Sequence, residues 1–386
     1  MTPRIATLVA LLYIAIPPLH AADSTAKWWS DEVEQALAKA KDNRPELEKA
    51  LTGVPKDQRP GMAFLIANMP TSDLKSLKAD FLLTNSELAY KARAEVAWGK
   101  NIPEDIFLND VLAYANVDEK RDAWRKEFYD MCMPIVKDCK TPAEAAQKLN
   151  TDIFPKLKLG YSTKRKLPNQ SPKESIEQGK ASCTGLSIVL SDACRAVCVP
   201  ARLVGTPLWS NKTGNHTWVE IWDQDWHFTG ACEQDKNGLN RGWFVGNAAE
   251  AKKDSFEHSI YASSFRKTKQ HFPLVWAMGY KEVPAENVTE RYIKKAAPKT
   301  ETVRVSIRVI DESKKRVAVA VIVSPKDDAK VKLEGKSRDD KADLNDFLNF
   351  ELKPNAEYTI KAGKAEKAIK TEVAGRNQLI EIVLEK

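Results

Sequence analysis

The sequence predicts an α+β protein in three parts: a helical N-terminal region, a core in which one helix packs on adjacent strands, and a C-terminal β-sandwich. Three observations carry this reading. From Ser30 to about Tyr114 the pattern is helical, with few strand formers. After residue 200 the period moves toward 2 in ARLVGT, HTWVEIW and WHFTGA, which are short and rich in β-branched and aromatic residues. Beyond Lys294 the chain becomes alternating apolar runs cut by turn signals at short spacing. The corresponding boundaries are 1–21 for a leader, 22–98 for the helical region, 99–290 for the core and 300–386 for the sandwich.

The chain opens on MTPRIATLVALLYIAIPPLHAADS. One basic residue precedes an apolar stretch too short to span a bilayer, and small residues follow near Ala21 and Ala22. This is the layout of a secretory signal peptide, so the mature chain is expected to be secreted or periplasmic and free of the membrane after cleavage. The roughly 365 residues left are enough for two or three domains. Lys and Arg number 60 against 53 Asp and Glu, and only TKRK at 163–166 is tightly clustered. Export with dispersed charge argues against a nucleic-acid partner.

The first helix is announced by Ser30 as a cap, with Asp31 and Glu32 at the positive end of its dipole. Prolines in VPKDQRPG and NMPTSD mark joints between antiparallel helices. Further helices are read in SDLKSLKADFLLTNSELAYKARAEVAW, KRDAWRKEFYDMCMPIV and TPAEAAQKLNTDIF, and an exposed loop in STKRKLPNQSPKE. NAAEAKKDSFEHSIYASSF reads as mixed helix and loop, and HFPLVWAM as a strand. Past a Lys-, Ala- and Pro-rich linker near 294–301, seven runs from TVRVSIRVID to QLIEIVLEK make the sandwich. That segment holds neither His nor Cys, so it is expected to be an accessory or binding module without chemistry of its own.

The chemistry is sought in GKASCTGLSIVLSDACRAVCVPARLVG, residues 179–205. Leu186, Val189, Leu190, Ala193 and Val197 recur at helical spacing, and Cys183 falls in the first turn. There the unpaired N–H groups and the positive end of the dipole favour a thiolate, the reactive form. The same N–H groups suit the oxygen of a tetrahedral intermediate. His216 opens the strand after next, bounded by a Gly and Asn loop, and a strand crossing a helix N-terminus brings an imidazole to a thiol. Of the other cysteines, Cys132 and Cys139 are candidates for a local disulfide across Pro134, and Cys194 or Cys198 for pairing with Cys232. There is no paired CxxC, so neither a metal nor an organic cofactor is implied.

The succession SCTGLSIVLSDACRA, VPARLVG, NHTWVEIW, WHFTGACE resembles the transglutaminase-like superfamily, including its bacterial and peptide N-glycanase-related members, over roughly residues 100–285. The resemblance implies a papain-like core with Cys183 as nucleophile and His216 as general base. Family members carry an aspartate in the strand after the histidine, and the matching position here is Gly230. With DQD as a three-residue turn, Trp222 faces Trp226, Trp218 faces Gly230 and His216 faces Cys232. Glu233 is the nearest substitute acid, provided a bulge at Gly230 re-aims it toward the imidazole. The expected activity is hydrolysis of an amide bond in a peptide, protein or glycopeptide through an acyl-enzyme. The alternatives are protein cross-linking, or a peptide- or glycan-binding scaffold that has lost its acid.

Overall fold

The computed structural model describes residues 27–293, 301–328, 330–374 and 377–384. The expected leader and residues 294–300 lie outside the described residues. Among the described residues no helix is long and apolar enough to cross a membrane.

The helical region contains α1 (Asp31–Lys39), α2 (Arg44–Gly53), α3 (Arg59–Asn68), α4 (Thr71–Leu74), α5 (Ala79–Glu95) and α6 (Glu104–Asp110). Prolines near the N-termini of α2 and α3 start these helices where a missing N–H costs nothing. Next come α7 (Trp124–Val136) and α8 (Pro142–Leu157), the latter capped by Thr141, whose side chain accepts from Glu144 N. A parallel pair of two-residue strands, β1 (Gly160–Tyr161) and β2 (Lys180–Ala181), brackets α9 (Pro172–Gln178). The expected loop at 162–174 is thus interrupted by a helix. Ser171 and Glu174 close a capping box there, a signal legible as SPKE.

Helix α10 (Cys183–Ala196) is the centre of the molecule, buried at every position from Thr184 to Ala196. The single apolar stripe read from the sequence is therefore only the face toward α7 and α8. Two of its buried charges find partners: Arg195 donates to the carbonyls of Ala201 and Ala115, and Asn116 donates to Asp192. One continuous apolar cluster runs from Val33 in α1 through Leu186, Val189 and Leu190 to Ala231.

Against α10 lies an antiparallel sheet of order β5-β4-β3-β6-β8-β7. Its strands are β3 (Ala201–Thr206), β4 (His216–Asp223), β5 (Asp225–Thr229), β6 (Tyr261–Ser263), β7 (Gln270–His271) and β8 (Pro284–Asn287), with α11 (Val245–Ala249) and α12 (Thr289–Ile293) at its flank. The strand expected over HFPLVWAM shrinks to β7. Phe272 and Leu274 leave it to fill an apolar cluster with Ile188 and Leu203.

The C-terminal part is a sandwich of two sheets, β11-β10-β13-β14 and β12-β9-β15. Its strands are β9 (Val303–Asp311), β10 (Ala320–Pro325), β11 (Leu333–Lys336), β12 (Leu348–Leu352), β13 (Glu357–Ala362), β14 (Ala365–Lys370) and β15 (Asn377–Leu384). Alternation buries Val303, Val305, Ile307 and Val309 of β9 against Val321, Val323 and Ile360 of the facing sheet.

Neither expected disulfide forms: all six cysteines are free. Helix α7 runs through Pro134 to Val136 instead of breaking at the proline, which leaves Cys132 buried on the helix and Cys139 in the turn beyond it. Cys194 and Cys198 lie buried at the C-terminal end of α10, whereas Cys232 follows β5 at the opposite end.

Candidate active site

Cys183 is the first residue of α10. Ser182 caps the helix by accepting from Gly185 N at 3.0 Å and donates its own hydroxyl to Pro168 O. The N–H groups of Cys183 and Thr184 lie in the first turn, out of reach of any intrahelical acceptor. Two contacts fasten this turn to the start of β4: Thr184 Oγ1 meets Thr217 Oγ1 at 3.0 Å, and Ser187 donates to Thr217 O at 3.2 Å. Because the residue they grip adjoins His216, the imidazole is delivered to the sulfur by backbone register. His216 itself pairs with Thr206 of β3.

The His216 ring is 1% exposed and walled by aromatic rings, with centroids at 4.7 Å for Trp243, 5.0 Å for Phe244 and 5.9 Å for Trp218. Trp222 and Trp226 face each other in the β4–β5 ladder, as the turn arithmetic predicted. They take no part in the wall.

The ladder ends at Thr229, so the expected pairings of Trp218 with Gly230 and His216 with Cys232 do not form. Asn150 of α8 pulls the chain out of the sheet: its Nδ2 donates to Gly230 O at 2.8 Å and its Oδ1 accepts from Cys232 N at 2.9 Å. Cys232 takes a left-handed conformation, φ +63°. The chain then folds back, and the Glu233 carboxylate comes within 3.4 Å of His216 Nε2 while Trp243 Nε1 holds it at 3.0 Å. A Cβ on Gly230 would sit 2.7 Å from Glu233 Oε2. Position 230 has no room for a side chain because an acid from three residues on occupies its space.

A second carboxylate, not foreseen from the sequence, reaches the site from the sandwich. Asp343 is 3% exposed, and its Oδ2 lies 3.7 Å from His216 Nδ1. The Cys183 sulfur, a His216 nitrogen and an Asp343 oxygen all fall within 4.8 Å of one another. The loop carrying Asp343 is tied down from both domains. Arg316 donates to the carbonyls of Asp343 and Asp346, Tyr161 Oη accepts from Leu344 N at 3.1 Å, and Asn345 donates to Asn215 O. The sandwich is therefore not remote from the chemistry, contrary to the expectation drawn from its lack of His and Cys. The run DDKADLND was visible, but nothing local in it points to His216.

Electrostatics follow from this crowding. Burial works against the charged form of His216, but the Glu233 carboxylate, the Cys183 contact and Asp343 outweigh it and hold the imidazolium well above the usual histidine range. Burial pushes the Asp343 carboxyl up to about 6, with His216 pulling the other way.

A thiol on a helix end, an imidazole on the neighbouring strand and a carboxylate on the far ring nitrogen are an arrangement able to support cysteine-nucleophile chemistry. Residues 130–244 match the family described as the transglutaminase-like superfamily. No curated protein matches. Among solved structures, a candidate cysteine protease from Cytophaga hutchinsonii aligns at 17% identity and TM-score 0.30 over 44% of this chain and 56% of its own. Red sea bream transglutaminase aligns at 9% identity and TM-score 0.27, over 64% of this chain and 58% of its own. The chain thus spans little more than half the length of either. Scores this low carry no weight for the mechanism.

Proposed function

We propose that this chain is an exported cysteine-dependent amide hydrolase. The observation that carries the reading is the placement of Cys183, at the N-terminus of a fully buried helix, against His216 with Glu233 on its other nitrogen. The Cys183 thiolate attacks an amide carbonyl carbon, and the resulting oxyanion is met by first-turn N–H groups. The C–N bond then breaks as His216 gives its proton to the departing amine, leaving a thioester. Water, losing a proton to His216, attacks the thioester and releases the carboxylic acid and the thiolate. Peptides, proteins and glycopeptides are the substrate class; water is preferred over a lysine amine as acceptor because it is the default in an exported setting.

The test is selective alkylation followed by turnover. Iodoacetamide is expected to modify Cys183 well ahead of the half-buried Cys139 and Cys232, and His216→Ala to slow that modification at neutral pH. Equal rates for the three thiols would leave a non-catalytic scaffold as the better description. Formation of product from a peptide library with water, and its diversion by added primary amine, separates hydrolysis from cross-linking.

A further inference from the structure

Three donor atoms of different chemistry, from two domains, converge beside the helix end: Cys183 Sγ, His216 Nδ1 and Asp343 Oδ2. Two of them are without partners. Among the described residues neither His216 Nδ1 nor Asp343 Oδ2 has a hydrogen bond, although His216 is 1% and Asp343 3% exposed. Burying polar atoms this deeply without a partner is costly, and such an orphan demands an explanation. Their separation of 3.7 Å is too long for a hydrogen bond. It lies a few tenths of an ångström beyond the edge of roughly 3.4 Å that nitrogen and oxygen donors span around a tetrahedral ion, a gap that binding of the ion would close.

The surroundings complete the pattern. The other histidine nitrogen faces a carboxylate, Glu233 at 3.4 Å, which Trp243 holds from behind at 3.0 Å. The other oxygen of Asp343 accepts from Asn345 N at 2.9 Å, leaving Oδ2 as the free arm. Outer partners of this kind set ring tautomer and ligand orientation in metal sites. A thiolate, an imidazole and one carboxylate disfavour Mg²⁺ and Ca²⁺, which take oxygen donors, and suit Zn²⁺.

We propose that Cys183, His216 and Asp343 form a Zn²⁺ site shared between the core and the sandwich, with the fourth position open to water. The ion ties the sandwich loop onto the core and engages both the sulfur and Nδ1. Zinc occupancy and thiol chemistry are then mutually exclusive. The site does not depend on the hydrolase reading, since the ligands converge whatever the thiol does when free.

The experiment uses the full chain, stripped with chelator under reducing conditions and titrated with Co²⁺ as spectroscopic probe, then with Zn²⁺ in competition. One equivalent of Co²⁺ is expected to give a thiolate-to-metal charge-transfer band that Zn²⁺ abolishes. Cys183→Ser is expected to remove the band, and Asp343→Asn to weaken affinity at least tenfold, with circular dichroism reporting that both variants keep their fold. Absence of a saturable band, or Asp343→Asn binding as tightly as the parent, overturns the shared site. Alkylation of the metal-free chain is read separately. Fast Cys183 labelling without metal binding sinks the zinc site and leaves the hydrolase standing. Metal binding with a sluggish metal-free thiol does the reverse.

Discussion

Gly230 and Glu233 illustrate how a site acid is moved along a chain. The glycine leaves a gap into which the Glu233 carboxylate folds, and Asn150 holds the intervening turn open. In the metal-free chain Glu233→Gln removes a negative charge that stabilises the imidazolium. His216 then binds its proton less tightly and becomes a poorer partner for the Cys183 sulfur. The expected outcome is a rate-against-pH curve for iodoacetamide labelling displaced upward as a whole. Labelling at pH 7 is expected to slow with it. An unchanged curve would mean that Glu233 does not govern the proton on His216. Gly230→Asp in a Glu233→Ala background, which clears the carboxylate from that space, is expected to return part of the rate.

At the scale of elements, α10 is where stability and chemistry meet. Leu190 is fully buried at its centre, so Leu190→Ala is expected to cost about 2–5 kcal/mol by urea denaturation, the range for a leucine cavity in a close-packed core. A loss well under 1 kcal/mol would show that the helix can collapse around the gap. The turn before β4 is constrained differently. Gly214 has φ +133°, and a Cβ there would overlap the Asn345 side chain. Gly214→Ala is therefore expected to lift the sandwich loop from the core while leaving the β3–β4 ladder intact, read as faster hydrogen exchange in residues 339–346 with the ladder amides unchanged.

For the whole molecule, the sandwich and core meet over the nucleophile. Arg316 is the strut, its guanidinium capping the carbonyls of Asp343 and Asp346 from inside the sandwich. Arg316→Ala is expected to loosen the loop, so that a bulky maleimide labels Cys183 several-fold faster while iodoacetamide, already small enough to enter, gains less. Equal gains for both reagents would argue against a steric cover.

Much of this was legible in local pattern. Helical spacing placed Cys183 on a first turn, and period-2 alternation placed His216 at a strand start and laid out the seven sandwich strands, because these features depend on neighbours within a few residues. The register of β4 on β5 followed from the DQD turn as far as Thr229, where Asn150, distant in sequence, took over. What the chain order could not convey was which loop of the sandwich lands on which edge of the core. Asp343 sits beside His216 only because two separately folded surfaces dock there, and such docking depends on shape and charge assembled from all along the chain. Local sequence therefore determined where Cys183 and His216 sit and the elements that carry them. Tertiary packing alone decided that a carboxylate from the far domain would share their site.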